Sequence, residues 1–319
     1  MNRYLLGAAV FGCAFTAIAA EYPLRPIRLV VPFGPGSITD VLARTVSVRL
    51  ADALAQQIVV DNRPGAGGLI GSDLVAKAQP DGYTLMLGGA STYSINQSLY
   101  SSMPYDSATA FVPITQMSTN SNVLVVNSSF PARSVKELIA YGKGNPGKLN
   151  YASTGAGGSI HLSAEMFKSM TGIDIVHIAY KASPAAHIDI IGGQVQLMFD
   201  GMPTALPLIK AGKLRALGVT SAQRSQLLPE LSTVAEAGLP GYVAVNWFGF
   251  ATTAGAPRER VDKLCAEIVS ILNQPEAKER LLALGAEPVG SRPDEFARFI
   301  KSEAARWGRI VKALGLKAD

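Results

Sequence analysis

The chain is poor in the residues that carry covalent and metal chemistry. It has two cysteines and three histidines in 319 residues. Cys13 lies in an apolar leader, so the mature chain keeps Cys265 alone and forms no internal disulfide. Cys265 sits among Val261, Leu264 and Ile268, the setting of a small hydrophobe on a helix face rather than a reactive thiol. His161, His177 and His187 show no His-Glu-x-x-His spacing, and no second cysteine completes a zinc set. No metal and no cofactor is therefore expected. Charge is scarce too, at 17% of residues with a formal net of +5. Without a basic run, a nucleic-acid surface is excluded.

Long apolar runs are also missing after the first twenty residues, where none approaches the roughly twenty that a membrane span needs. The first twenty are different. Arg3 precedes an uncharged apolar run, and Ala17-Ile18-Ala19 fits a small-residue cleavage site. Residues 1–20 therefore read as a secretory signal peptide, and the mature protein as exported to the periplasm.

Nucleotide and hydrolase motifs fail on spacing. Gly65-Ala66-Gly67-Gly68-Leu69-Ile70 and Gly155-Ala156-Gly157-Gly158-Ser159-Ile160 both lack the third glycine of G-x-G-x-x-G. Neither has the G-K-[ST] ending of a phosphate loop. The residue after Ser159-Ile160 is His161, so no G-x-S-x-G elbow forms.

What is present is an alternation of short β-rich runs with amphipathic helices, the pattern of an α/β fold with parallel strands. Ile27–Val31 is a strand buried on both faces, stopped by Pro32, Gly34, Pro35 and Gly36. Ser37 is placed to cap the next helix, with Asp40 three residues on, and Ile38, Leu42, Val46, Leu50 and Leu54 form one apolar face. Such a strand, loop and helix N-terminus favour an anion. Similar small polar loops follow later strands, at Ser91 to Tyr93 and at Ser153 to Ser159. Ligands of open α/β sheets bind at those strand ends.

Other residues carry two readings each. His161 either bonds the loop backbone or faces a cleft, His177 is a core histidine, and His187 is an exposed or structural helix residue. Asp200, ending the run Val195–Phe199, either receives a ligand group or caps the following helix. Tyr180 and Trp247-Phe248 either line a cleft or fill the core. Polar Ser118 to Asn122, between two extended runs, reads as the first crossing into another lobe, and the segment around Tyr242 to Phe250 as the return. This divides the mature chain into lobe one, 21–120 plus 246–319, and lobe two, 121–245. The tail reads as three helices packing back on lobe one.

The motifs carrying this layout are recognisable. They are YPLRPIRLVVPF (Tyr22–Phe33), NRPGAGG (Asn62–Gly68), KAQPDGYTLMLG (Lys77–Gly88), GKLNYASTG (Gly147–Gly155), IHLSAEMFKSMTG (Ile160–Gly172), GGQVQLMFD (Gly192–Asp200), IKAGKLRALGVTS (Ile209–Ser221) and LSTVAEAGLPGY (Leu231–Tyr242). In order and spacing the chain resembles the Bug (TctC-type) family of periplasmic solute receptors that serve tripartite tricarboxylate transporters. The resemblance implies a two-lobed venus-flytrap fold of the type II periplasmic binding protein class. It implies a monomeric receptor, not an enzyme, that closes on a small di-, tri- or aromatic carboxylate and delivers it to the membrane subunits of such a transporter. Carried over residue by residue, lobe one contributes Phe33, Gly34, Pro35, Gly36 and Ser37 with Ser91 and Thr92. Lobe two contributes Ser153, Thr154, Gly155, Ala156, Gly157, Tyr180 and Asp200. Asp40 and His161 stand beside these loops and join the candidate set. The chain departs from the family pattern at Ser37, Ile38 and Ala182, which leaves the ligand open and the class intact. A sensing module for a signalling receptor, or an exported enzyme using His161 and Asp200 as acid and base, are the competing functions.

Overall fold

The computed structural model describes residues 22–155, 158–180 and 183–317. The expected leader, together with Ala156, Gly157 and Ala182, lies outside the described residues.

The chain opens with β1 (Ile27–Val31), α1 (Ile38–Leu54), β2 (Ile58–Asn62), α2 (Leu69–Ala76) and β3 (Thr84–Gly89). These strands pair in parallel in the order β2-β1-β3. A wide helical turn over Ser91–Ile95 leads into the short α3 (Asn96–Leu99), where the sequence suggested an open loop. The long strand β4 (Phe111–Asn127) follows. Next come α4 (Val135–Gly144), β5 (Leu149–Ser153), α5 (Ser159–Thr171), β6 (Ile175–Ala179), α6 (Ser183–Ile191), β7 (Leu197–Gly201), α7 (Met202–Lys210) and β8 (Leu214–Val219). β9 (Val245–Thr253) returns to the first half, and α8 (Arg258–Leu272), α9 (Pro275–Ala283), β10 (Ala286–Pro288) and α10 (Pro293–Leu314) finish the chain.

The two halves repeat one design. In lobe one the order is β2-β1-β3-β9, and in lobe two it is β6-β5-β7-β4, each a parallel trio closed by an antiparallel strand. β4 belongs to both. Its first part pairs with β9 from Phe111 to Ser121, and its last part pairs with β7 and β8 from Asn122 to Asn127. The polar stretch Ser118 to Asn122 is thus paired strand throughout, not a break. Its side chains defeat an apolar-periodicity reading because all but Thr119 are buried yet polar, with Ser118 Oγ donating to Asn120 Oδ1 at 3.0 Å.

Each sheet is covered on both faces. Leu29 and Val31 of β1 pack with Leu42, Val46, Leu50 and Leu54 of α1, so the predicted helix face meets the sheet as its spacing requires. Val30, pointing the other way, joins Met86, Trp247, Phe296 and Trp307 under α10. The tail therefore packs on lobe one, as expected. In lobe two, Leu124, Tyr151, Phe167 and Phe199 fill one face, and Val123, Val125, Ile190 and Met198 fill the other. Trp247 and Phe248 are both core residues, and Cys265 is a buried helix residue. Each such aliphatic side chain contributes about 1.5–3 kcal/mol on burial.

Candidate functional site

Strand order locates the site before any side chain is considered. In an open α/β sheet the ligand crevice lies beyond the carboxyl ends of the strands where the order reverses. In lobe one that place is between β1 and β3, and in lobe two between β5 and β7. The residues leaving those four strands are Pro32 to Ser37, Ala90 to Thr92, Thr154 onward, and Met202 onward after Asp200-Gly201.

In lobe one the capping prediction holds, and it changes the reading of the loop. Ser37 Oγ accepts from the Asp40 N–H at 3.2 Å, while Asp40 Oδ2 accepts from the Gly36 N–H at 2.9 Å. Asp40 Oδ1 also accepts from Arg44 Nε and Asn62 Nδ2, both at 3.0 Å, and Asn62 Nδ2 reaches Phe33 O at 3.0 Å. Burial raises the Asp40 pKa, but Arg44, the Gly36 amide and Asn62 together hold it below the usual carboxylate value. The Ser37 N–H closes on Gly34 O at 3.2 Å. Two of the loop amides that an anion could have used, those of Gly36 and Ser37, are therefore bonded inside the loop, and Asp40 is its organiser. Helix geometry gives the Ile38 and Thr39 amides no partner within the helix.

Thr92 is wholly buried and bonded back to Gly89, accepting from its N–H at 2.9 Å and donating to its carbonyl at 3.0 Å. It is a packing post. A Cβ on Gly68 (φ +96°) would stand 2.7 Å from Thr92 Cγ2 and 3.4 Å from Phe33 Cζ, so three loops converge there. Asn96 Nδ2 pins Gly67 O at 3.0 Å. Phe33, Gly36, Ser37 and Ser91 remain partly accessible around this post.

In lobe two, Ser153 is buried, with Oγ 2.6 Å from His177 Nε2 and 3.0 Å from Gly155 O. Thr154 is exposed, and Gly155 at φ +116° has open space where a side chain would be. His161 follows on the first turn of α5, 7% exposed, its ring 4.3 Å from that of His177 and stacked on Tyr151. Burial, then the neighbouring His177, push His161 down to about 4. His177 is half-buried in contact with Ser153 rather than a core histidine, and burial lowers its pKa as well. Both rings are neutral near pH 7.

Two further candidates are engaged within lobe two. Tyr180 donates to Asp189 Oδ2 at 2.6 Å, and burial and that carboxylate push its pKa up to about 12. Asp200 is 0% exposed, accepting from Ser183 Oγ and Thr204 Oγ1 at 2.9 Å and lying 2.6 Å from His187 Nε2. Neither sequence reading of Asp200 describes this, and of the two readings of His187 the structural one holds, since it is a buried helix residue. Ser183 bonds the carboxylate and not the imidazole, so these three make no nucleophile–base relay. Among the described residues no cluster of histidine, cysteine, aspartate and glutamate could hold a metal. An open groove of about 540 Å³ between Leu214, Arg215, Leu227 and Leu231 lies away from all four strand ends.

A two-lobed α/β frame, each half ending in small polar loops where its strand order reverses, is the architecture of a solute-binding protein of the periplasmic type. The chain belongs to the TctC family, the tripartite tricarboxylate transporter family receptors, whose model matches residues 42–316. It is 38% identical over 322 residues to protein BugT of Bordetella pertussis, covering 99% of each chain. Its fold is similar to that of R. palustris Rpa4515 with adipate (39% identity, TM-score 0.86, 93% of this chain and 99% of that one). It is also similar to MatC (Rpa3494) from Rhodopseudomonas palustris with bound malate (30% identity, TM-score 0.81, 91% and 100%). The family is one of solute-binding receptors, and no helix among the described residues is long and apolar enough to cross a membrane.

Proposed function

We propose that the protein captures a small dicarboxylate between its lobes in the periplasm and delivers it, as a monomer, to the membrane subunits of a tripartite transporter. The observation that carries this is the pairing of two strand-order reversals, each opening onto small polar loops with neutral donors. The adipate and malate held by two similar structures support the ligand class. In this reading lobe one is 21–120 plus 246–319, lobe two is 121–245, and residues 1–20 are a cleaved leader. Phe33, Gly36, Ser37 and Ser91 face Thr154, Gly155, Ala156, Gly157 and His161 across the ligand. Asp40, Thr92, Ser153, Tyr180 and Asp200 hold those loops in shape.

A thermal-shift panel of mono-, di- and tricarboxylates on the mature protein tests this. Ligand at about 100 times Kd stabilises by about 2.7 kcal/mol, a rise on the order of 5–10 °C. Stabilisation by a neutral sugar or nucleotide, with none by any carboxylate, would overturn it.

A further inference from the structure

Asn120 is 6% exposed, and its Nδ2 has no hydrogen-bond partner. Its other end is occupied, since Oδ1 accepts from Ser118 Oγ at 3.0 Å. That bond orients the amide with its two N–H donors away from Ser118. Buried polar groups are almost always paired, and an unpaired donor in a well-packed interior calls for a physical reason.

The register supplies one. Ser118 on β4 pairs with Phe248 on β9, which pairs with Gly89 on β3. Gly89 ends β3, where the chain turns toward Ser91. On the other side, Asn122 pairs with Gly201, the last residue of β7, directly after Asp200. Asn120 thus lies, along β4, two residues from the row that reaches Gly89 through β9 and two from the row of Gly201. At about 3.3 Å per residue each row is within about 7 Å of it. It stands on the one strand shared by both lobes.

We infer that Asn120 Nδ2 is a ligand donor on the floor of the interlobe cleft, hydrogen-bonded to a carboxylate oxygen of the captured anion. The inference deepens the proposed function and rests on it. A neutral amide suits this place. It donates to the anion without a charge that would need its own partner when the cleft empties, and the shared strand holds it fixed while the lobes move about it. The cost of keeping the donor unpaired in the ligand-free form is recovered when the anion arrives, because a hydrogen bond to an ionised acceptor is a strong one.

Calorimetric titration of the mature protein with malate and adipate, alongside apo melting temperatures, tests the assignment in the wild type, Asn120→Ala and Asn120→Asp. The expected result is a loss of affinity of about ten- to a hundredfold in Asn120→Ala. A further loss is expected in Asn120→Asp, which keeps the shape but repels the anion. Asn120→Ala also takes the acceptor from the buried Ser118 Oγ, so its apo melting temperature is expected to fall somewhat. Ser118→Ala, which breaks the same bond but keeps Nδ2, is the control for that loss and is expected to bind as the wild type does. Unchanged affinity in Asn120→Ala, or binding by Asn120→Asp as tight as the wild type, overturns the assignment. So does a loss of affinity in Ser118→Ala as large as that in Asn120→Ala, because that variant keeps Nδ2 and loses only the bond between the two side chains. A wild type that binds neither these nor any other carboxylate overturns the proposed function instead.

Discussion

The imidazole of His187 and the carboxylate of Asp200 meet at 2.6 Å inside lobe two, their side chains 9% and 0% exposed. Ser183 at the start of α6 and Thr204 in α7 donate to the same carboxylate. One buried group therefore joins two helices to the end of β7, where the strand order of that half reverses.

Replacing Asp200 by alanine strands those donors in the interior. The ligand-free protein is expected to lose about 3–5 kcal/mol, measured by urea unfolding. Asp200→Asn keeps an acceptor in place and costs less. If Asp200→Ala lost affinity at unaltered stability, direct ligand contact would be the better account.

Gly68 adopts φ +96° where three loops of lobe one converge on Thr92 and Phe33. Gly68→Ala adds left-handed strain of about 1–2 kcal/mol to overpacking of about 1–3 kcal/mol. Its melting temperature should fall, and dicarboxylate affinity should fall with it as the Phe33 loop is displaced. A variant with wild-type melting temperature would show that this convergence is loose.

His161 is held at about 4, below its ordinary 6.5, by burial and then by His177. The fold favours the neutral ring, so the unfolded chain takes up the proton first as pH falls. The contribution is complete above about pH 6.5 and is lost progressively toward pH 4, amounting to about 3 kcal/mol. Urea unfolding at about pH 7.5 and about pH 4.5 should show a smaller loss in His161→Gln than in the wild type. Equal losses would mean that the ring titrates alike in both states.

Both tryptophans of the chain donate to one buried carboxylate. Trp247 Nε1 and Trp307 Nε1 lie 3.2 and 3.0 Å from Glu303 Oε2, and Arg306 lies 3.2 Å from Oε1. Arg306 also donates to Val243 O, just before β9 begins opposite Ser121 of β4. Glu303→Ala leaves two buried indole donors unpaired, at about 1–3 kcal/mol each, and should change tryptophan emission in the folded state. Unfolding followed by that emission measures both. Glu303→Gln, which retains an acceptor, should sit between the two.

The sequence by itself determined the elements and their class. The period-four face of α1, its Ser37 cap, the short β-rich runs and the glycine loops after them are local patterns, set by rotamers, caps and turns within a few residues. The family motifs ran through the same positions. Tertiary structure decided which polar groups stay available. Asp40 is spent on the Gly36 amide, Thr92 on Gly89, Tyr180 on Asp189 and Asp200 on Ser183, Thr204 and His187. Some of those partners are close in sequence, but a local pattern shows only that a bond is possible, not that burial has excluded water and made it obligatory. The continuity of β4 is of the same kind. Ser118 to Asn122 reads as a polar break until β9 and β7 supply partners for its backbone, and only that pairing sets Asn120 between the rows of Phe248 and Gly201.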